Sequence, residues 1–118
     1  MAGEQLAPET SEQQPRDLGD AEAVTKATYF VTGRVQGVGF RWWVTAKARE
    51  LQLVGFARNL EDGRVEVCAQ GERGAVEKLG EMLRERVSGH RRPGRVRHVV
   101  TQWGTPRDDL TGTRFREL

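Results

Sequence analysis

The sequence predicts an α+β domain: a split β-α-β sandwich, ferredoxin-like in plan, with two helices on one face of a mostly antiparallel sheet. Three observations carry that expectation. Strand-like and helix-like segments alternate in the order β-α-β-β-α-β, with a short terminal strand. The two central β segments are separated only by Glu61-Asp62-Gly63, a turn with glycine where positive φ is wanted, so they form a hairpin. Two further segments repeat apolar residues at helical spacing, each along one stripe, and such stripes need a common sheet to bury them.

Taken in order, residues 1–25 are rich in Glu, Gln, Ala and Pro and have no sustained apolar period. They are expected to form a disordered acidic tail, because they offer too little apolar surface to offset the entropy of ordering. The folded domain is expected over residues 26–118. Ala27–Thr32 mixes β-branched and aromatic residues and reads as the first strand. Phe40, Val44, Ala48 and Leu51, with Trp43 beside them, predict a helix from Phe40 to about Gln52. Val54–Leu60 reads as a second strand, and Arg64–Gln70 as a third that alternates Val65, Val67 and Ala69 against Arg64, Glu66 and Cys68. Val76, Leu79, Met82, Leu83 and Val87 mark a second amphipathic helix, which Ser88-Gly89 breaks. A basic loop follows over Gly89–Arg95. Val96–Trp103 then reads as a fourth strand, and Arg114–Leu118 as a short last one.

Composition narrows the class of protein. A chain of 118 residues suits one hydrophobic core. It contains no run of about 18 apolar residues that could span a membrane, and its N-terminus lacks the basic start and apolar stretch of a signal peptide. The single cysteine, Cys68, cannot form an intramolecular disulfide, and no Cys/His cluster has zinc spacing. A cytoplasmic location without metal or other cofactor is the expectation. The net charge of +2 conceals an asymmetry, because residues 1–25 hold six acids and one base whereas residues 26–118 hold 18 bases and 11 acids. The folding part is therefore basic and favours anionic ligands.

The stretch Gly33-Arg-Val-Gln-Gly37-Val-Gly39-Phe-Arg41-Trp-Trp43 is the least ordinary in the chain. A strand that feeds a glycine-rich turn into a helix makes a ready anion site. The first-turn N–H groups have no intrahelical partner, the helix dipole adds positive charge, and glycine lets a ligand approach the backbone. Arg41 adds a planar guanidinium suited to two phosphate oxygens. Known nucleotide motifs do not overlay: the position that G-x-G-x-x-G reserves for its last glycine holds Trp42, and Phe40-Arg41 stands where a P-loop needs Lys-Ser/Thr. On physics alone, anion cradle and structural turn stay evenly matched.

The same stretch, followed after one helix by Gly55-Phe-Ala-Arg-Asn59-Leu-Glu-Asp-Gly63-Arg-Val-Glu-Val67, resembles the acylphosphatase family over residues 26–118. The resemblance implies a ferredoxin-like fold. It also implies metal-independent hydrolysis of a carboxyl–phosphate anhydride to a carboxylate and inorganic phosphate, with no covalent phospho-enzyme. The backbone N–H groups of Gly37, Val38, Gly39, Phe40 and Arg41 would form the phosphate cradle. The Arg41 side chain would hold phosphoryl oxygens, and Asn59 would orient the attacking water. A small-molecule acyl phosphate is the implied partner, with no nucleic acid and no membrane, and a monomer is expected. Two departures stand out: Gly39 where many relatives carry a larger residue, and Leu60 where animal members often have threonine.

Other residues invite functional readings and are given plainer ones. Cys68 falls on the polar side of its strand and is read as a structural thiol. His90 and His98 have no ligand partner at sequence spacing and are read as solvated side chains. Asp108 and Asp109 suit turn capping. Of Trp42 and Trp43, one is expected in the core and the other at the rim. Arg91, Arg92, Arg95 and Arg97 admit a non-catalytic phosphate- or RNA-binding alternative. No RNP1-like run accompanies them, and they are expected in a loop rather than on the sheet.

Overall fold

The fold follows from a computed structural model that describes residues 23–86 and 88–118. The expected tail lies almost entirely outside the described residues, as does Val87. Strand β1 spans Val24–Arg34, and helix α1 spans Phe40–Glu50. Strands β2 (Val54–Asn59) and β3 (Val65–Glu72) form the hairpin, and helix α2 covers Arg73–Arg84. Strand β4 runs over Arg95–Gly104, a 3-10 turn occupies Asp108–Leu110, and β5 is Arg116–Glu117. The sheet order is β4-β1-β3-β2-β5, antiparallel except where β5 runs parallel to β2. This is the predicted ferredoxin-like α+β sandwich.

Alternation builds the inner face. Ala27, Tyr29 and Val31 of β1 and Val65, Val67 and Ala69 of β3 are buried on the side that meets the helices. From α1 the core receives Phe40, Trp43, Val44 and Ala48, and from α2 it receives Val76, Leu79, Met82 and Leu83. Each large side chain fully buried in this way contributes about 1.5–3 kcal/mol from the area removed from water. Phe115, just before β5, is fully buried in the same cluster, so the chain's last segment closes the core rather than merely extending the sheet.

Several boundaries differ from the sequence reading, each for a local reason. Val24 and Thr25, assigned to the tail, already pair with Glu72 and Gly71 of β3. Two-residue additions of this kind cost little once a partner strand is present, and no propensity signal announces them. Helix α1 stops at Glu50 because Gln52 adopts the left-handed conformation, φ 61°. The Gln52 N–H donates to Arg49 O at 3.0 Å and the Leu53 N–H to Ala48 O at 2.9 Å, a Schellman ending without its usual glycine. Strand β2 ends at Asn59 rather than Leu60, and β5 is shorter than Arg114–Leu118.

The outer face of the sheet departs more from expectation. Cys68 is not on a solvated side: it is buried, as is Gln70 on the same face. The Gln70 side-chain amide clamps the backbone of Arg107, donating to its carbonyl at 3.0 Å and accepting from its N–H at 2.7 Å. The connection after β4 is thereby tied across β3. Burial pushes the Cys68 thiol pKa up, in keeping with a structural role. The arginine loop is also corrected. Arg91 and Arg92 lie in the loop, but Arg95 and Arg97 belong to β4, at the sheet edge. Arg92 is not a free charge, for its guanidinium donates to Met82 O (2.8 Å), Leu83 O (3.1 Å) and Glu85 O (2.6 Å), capping the C-terminal end of α2. His90 meets the Glu85 carboxylate through Nδ1 at 3.3 Å rather than only solvent. Asp109 pairs with Arg107 at 2.7 Å within the 3-10 turn segment.

Two outcomes follow from this packing. Gln52→Gly removes the left-handed penalty and raises unfolding free energy by about 1 kcal/mol in urea titrations; an unchanged midpoint would count against a strained ending. Tyr29, the chain's one tyrosine, donates its hydroxyl to Val76 O at 2.7 Å, and burial pushes its pKa up to about 12. Between pH 10 and 12 the unfolded chain releases a proton that the folded chain keeps, so stability is full below pH 10 and falls as pH rises through this window. Tyr29→Phe flattens that fall, which denaturation at a series of pH values measures; equal slopes in both proteins would refute the assignment.

Candidate active site

The loop between β1 and α1 begins with Val35, which is buried, and continues through Gln36, Gly37, Val38 and Gly39. Gly37 (φ 74°) and Gly39 (φ 87°) are both left-handed, and a β-carbon at either would meet nothing within 4 Å. These glycines are thus required by backbone conformation, and they face open space. Gly39 is the N-cap of α1, where no side chain caps the helix and no acid stands in the first turn. The first-turn N–H groups therefore point outward with no intrahelical acceptor, beneath the positive end of the helix dipole. Phe40 is buried and stacks near Trp43, ring centroids 6.1 Å apart, which anchors the helix start from below.

Gly33 has a different task. Its φ is 145°, and a β-carbon there would lie 2.2 Å from Arg95 O and 2.9 Å from Arg97 N. The first glycine of the motif thus lets β4 press against the end of β1. The two left-handed loop glycines and the packing glycine look alike in sequence but differ in surroundings, the first two facing open space and the third facing β4 backbone.

The residues singled out by sequence gather around this loop through intermediaries. The Gln36 side chain donates to Leu60 O at 2.8 Å and to Arg64 O at 2.9 Å, stitching the loop to the β2–β3 hairpin. Asn59 is the last residue of β2, opposite Val65, exposed, and without a side-chain hydrogen bond among the described residues. Its amide is therefore free to donate and to accept. Arg41 is half-buried, and its Nη1 donates to Leu118 O at 2.5 Å. The Leu118 N–H in turn donates to Ala57 O at 2.9 Å, on the same strand as Asn59. Arg41 is thus braced by β2 through the C-terminal segment, and its remaining guanidinium donors have no partner among the described residues. No hydrogen bond joins Arg41 to Asn59 among the described residues.

Sequence reasoning missed Gln36 and the bracing by Leu118. The first could have been suspected from a primary amide next to two left-handed glycines, since an amide NH2 can donate twice. The second joins residues 77 apart in the chain, and nothing local signals it. Of the tryptophans, Trp43 is 4% exposed and donates Nε1–H to His90 O at 2.9 Å, whereas Trp42 is 67% exposed beside Arg41.

Gln36→Leu keeps the bulk and removes both stitches. It lowers unfolding free energy by about 1–2 kcal/mol and speeds hydrogen exchange at Gly37 and Gly39 while exchange in β1 stays slow. Unaltered exchange at the two glycines would show that Gln36 does not hold the loop.

The acylphosphatase family model matches residues 27–116. The chain is 57% identical over 83 residues to an acylphosphatase of Corynebacterium glutamicum, covering 70% of this chain and 88% of that one. It is 55% identical over 91 residues to an acylphosphatase of Thermobifida fusca, covering 77% and 96%. The solved structure of an acylphosphatase from Coxiella burnetii superposes with a TM-score of 0.68 at 38% identity, over 80% of this chain and 93% of that one. With a glycine-framed, uncapped helix start, an asparagine at the adjoining hairpin and this breadth of similarity, the chain belongs to the acylphosphatase family.

Proposed function

We propose that the chain hydrolyses the carboxyl–phosphate bond of small acyl phosphates, yielding a carboxylate and inorganic phosphate. The observation that carries this reading is the uncapped start of α1, reached through two left-handed glycines, with Arg41 in its first turn and Gln36 joining the loop to Leu60, the residue after Asn59. In it, the N–H groups of Gly37 through Arg41 bind the phosphoryl oxygens, and the Arg41 guanidinium neutralises their charge. The hydrogen bond to Leu118 O fixes that guanidinium, so little side-chain entropy is lost when substrate binds. The Asn59 amide holds the attacking water through one donated and one accepted hydrogen bond.

This division of labour suits the chemistry. The carboxylate of an acyl phosphate is already a good leaving group, so no strong general acid is demanded. Positioning and charge stabilisation at the transferred phosphoryl group supply most of the acceleration. The donors belong to backbone and to one fixed arginine, so they need no reorganisation as charge shifts during the reaction.

The reading extends to the setting of the protein. It acts as a cytoplasmic monomer on a dissolved metabolite, without metal, membrane or nucleic acid. No described helix is long and apolar enough to cross a membrane, and the one cysteine is buried as a free thiol.

Benzoyl phosphate hydrolysis, with and without EDTA, tests the mechanism. Wild-type activity resists EDTA. Arg41→Ala loses both inorganic phosphate binding and turnover, the latter by roughly 10²–10³-fold. Arg41→Lys remains poor, because a point charge cannot reproduce a planar fork. Asn59→Ala loses turnover while still binding phosphate. Absence of wild-type activity overturns the reading, and an unimpaired variant removes its residue from the mechanism.

A further inference from the structure

A cavity of about 540 Å³ runs along the flank of α1, walled by Trp42, Thr45, Ala46, Arg49, Glu50 and Glu117. The first five recur at helical spacing and form one stripe of α1, while Glu117 of β5 stands on the other side. Trp42 is the member of that stripe closest to the helix start, and helical side chains lean toward the N-terminus. Its indole is thus the wall residue nearest the cradle. Thr45 Oγ1 donates to Arg41 O and Arg49 Nε to Phe115 O, each at 2.8 Å. With those polar groups engaged, the Thr45 methyl, the Arg49 stem, Ala46 and the indole provide apolar lining.

Trp42 does little for the fold. Its neighbour Trp43 is buried in the core, whereas Trp42 is 67% exposed. The other exposed tryptophan, Trp103, lies under the Arg73 guanidinium, 5.6 Å from the ring centroid. Trp42 has neither a stacking partner nor a cation over its ring among the described residues. Yet it directly follows Arg41, with Cα atoms about 3.8 Å apart. Arg41 in turn donates to Leu118 O, on the residue after Glu117. The arginine and the cavity are therefore framed by the same two segments, the first turn of α1 and the end of the chain.

We propose that Trp42 is a specificity-determining residue: its indole receives the acyl portion of the substrate, and acyl phosphates with a flat, uncharged aromatic acyl group are favoured. This inference rests on the cradle reading above. With the phosphate at the start of α1 and Arg41 on its oxygens, the acyl group extends over the indole toward the cavity. Stacking there removes apolar area on both partners from water and adds the attraction of offset rings. Glu50 and Glu117 give the cavity walls negative charge, so a distal anion gains nothing there and an uncharged ring suits it. Trp42 takes no part in cleaving the bond.

Equilibrium binding of two non-hydrolysable analogues separates the two readings without relying on turnover. Phenacylphosphonate and acetonylphosphonate share the carbonyl and the phosphonate and differ in a ring against a methyl group. The wild type binds phenacylphosphonate roughly tenfold tighter, as expected for one stacked ring. Trp42→Ala loses that advantage and keeps acetonylphosphonate affinity, and Trp42→Phe restores most of it. Trp103→Ala, which removes an exposed indole from beside Ala27 near the opposite end of β1, retains it. In NMR spectra the Trp42 indole N–H signal shifts with phenacylphosphonate and stays in place with acetonylphosphonate. Equal wild-type affinities overturn the proposal and leave the cradle intact. So does an advantage that survives Trp42→Ala or falls equally in Trp103→Ala, or a Trp42 signal that ignores the ring. Failure of both phosphonates to bind overturns both readings.

Discussion

The left-handed entry into α1 is the constraint on which the rest of the site depends. Two glycines with positive φ bring the chain onto the helix axis without a capping side chain, and the first-turn N–H groups are left without an intrahelical acceptor. An uncapped helix start costs stability, commonly about 1 kcal/mol against a good N-cap. The buried Phe40 and Trp43 below it help offset that cost. The helix is held by its apolar underside, so its terminus can stay open.

A loop of glycines would sample many conformations if left alone. Here it is fastened on both sides. On one, Gln36 bonds two carbonyls of the β2–β3 hairpin. On the other, close backbone contacts at Gly33 and Gly94 press β4 and its preceding turn against the end of β1 and the loop. Arg41 is fixed independently, through Leu118, to β2. These braces come from the β2–β3 hairpin, from β4 with its preceding turn and from the C-terminal segment, and their common effect is to hold the loop and Arg41 in one arrangement. Electrostatic stabilisation depends on such preorganisation, because dipoles that must turn during a reaction return part of what they supply.

The distribution of charge follows the same architecture. Arg92 is absorbed as the cap of α2, and Arg64 is held by the Asp62 carboxylate, accepting 2.7 Å from Nε. The hydrogen bonds from Arg64, its backbone N–H first, keep the exposed Asp62 carboxyl below its ordinary pKa. Arg95 and Arg97 of β4 have no such local partner among the described residues. Tertiary structure thus sorts a basic sequence into arginines that hold the fold and arginines that face outward.

Much of this was legible from residue order. The two helices, the hairpin and the β-α-β-β-α-β plan follow from apolar periodicity and turn residues, which act over a few positions and survive in any packing consistent with them. The glycine stretch could be singled out for the same reason, and Asn59 through the resemblance of the motif around it to a known family. Other features were decided only by the fold: the burial of Cys68 beside the Gln70–Arg107 clamp, the bracing of Arg41 by Leu118, and the separate duty of Gly33. Each joins residues distant in the chain, so no local preference encodes it, and it exists only once loop closure has been offset by the shared core. By itself the sequence determined which elements form and where a helix start would be left open. The tertiary structure decided what stands around that opening, because proximity across a sheet is set by register and packing rather than by neighbours in the chain.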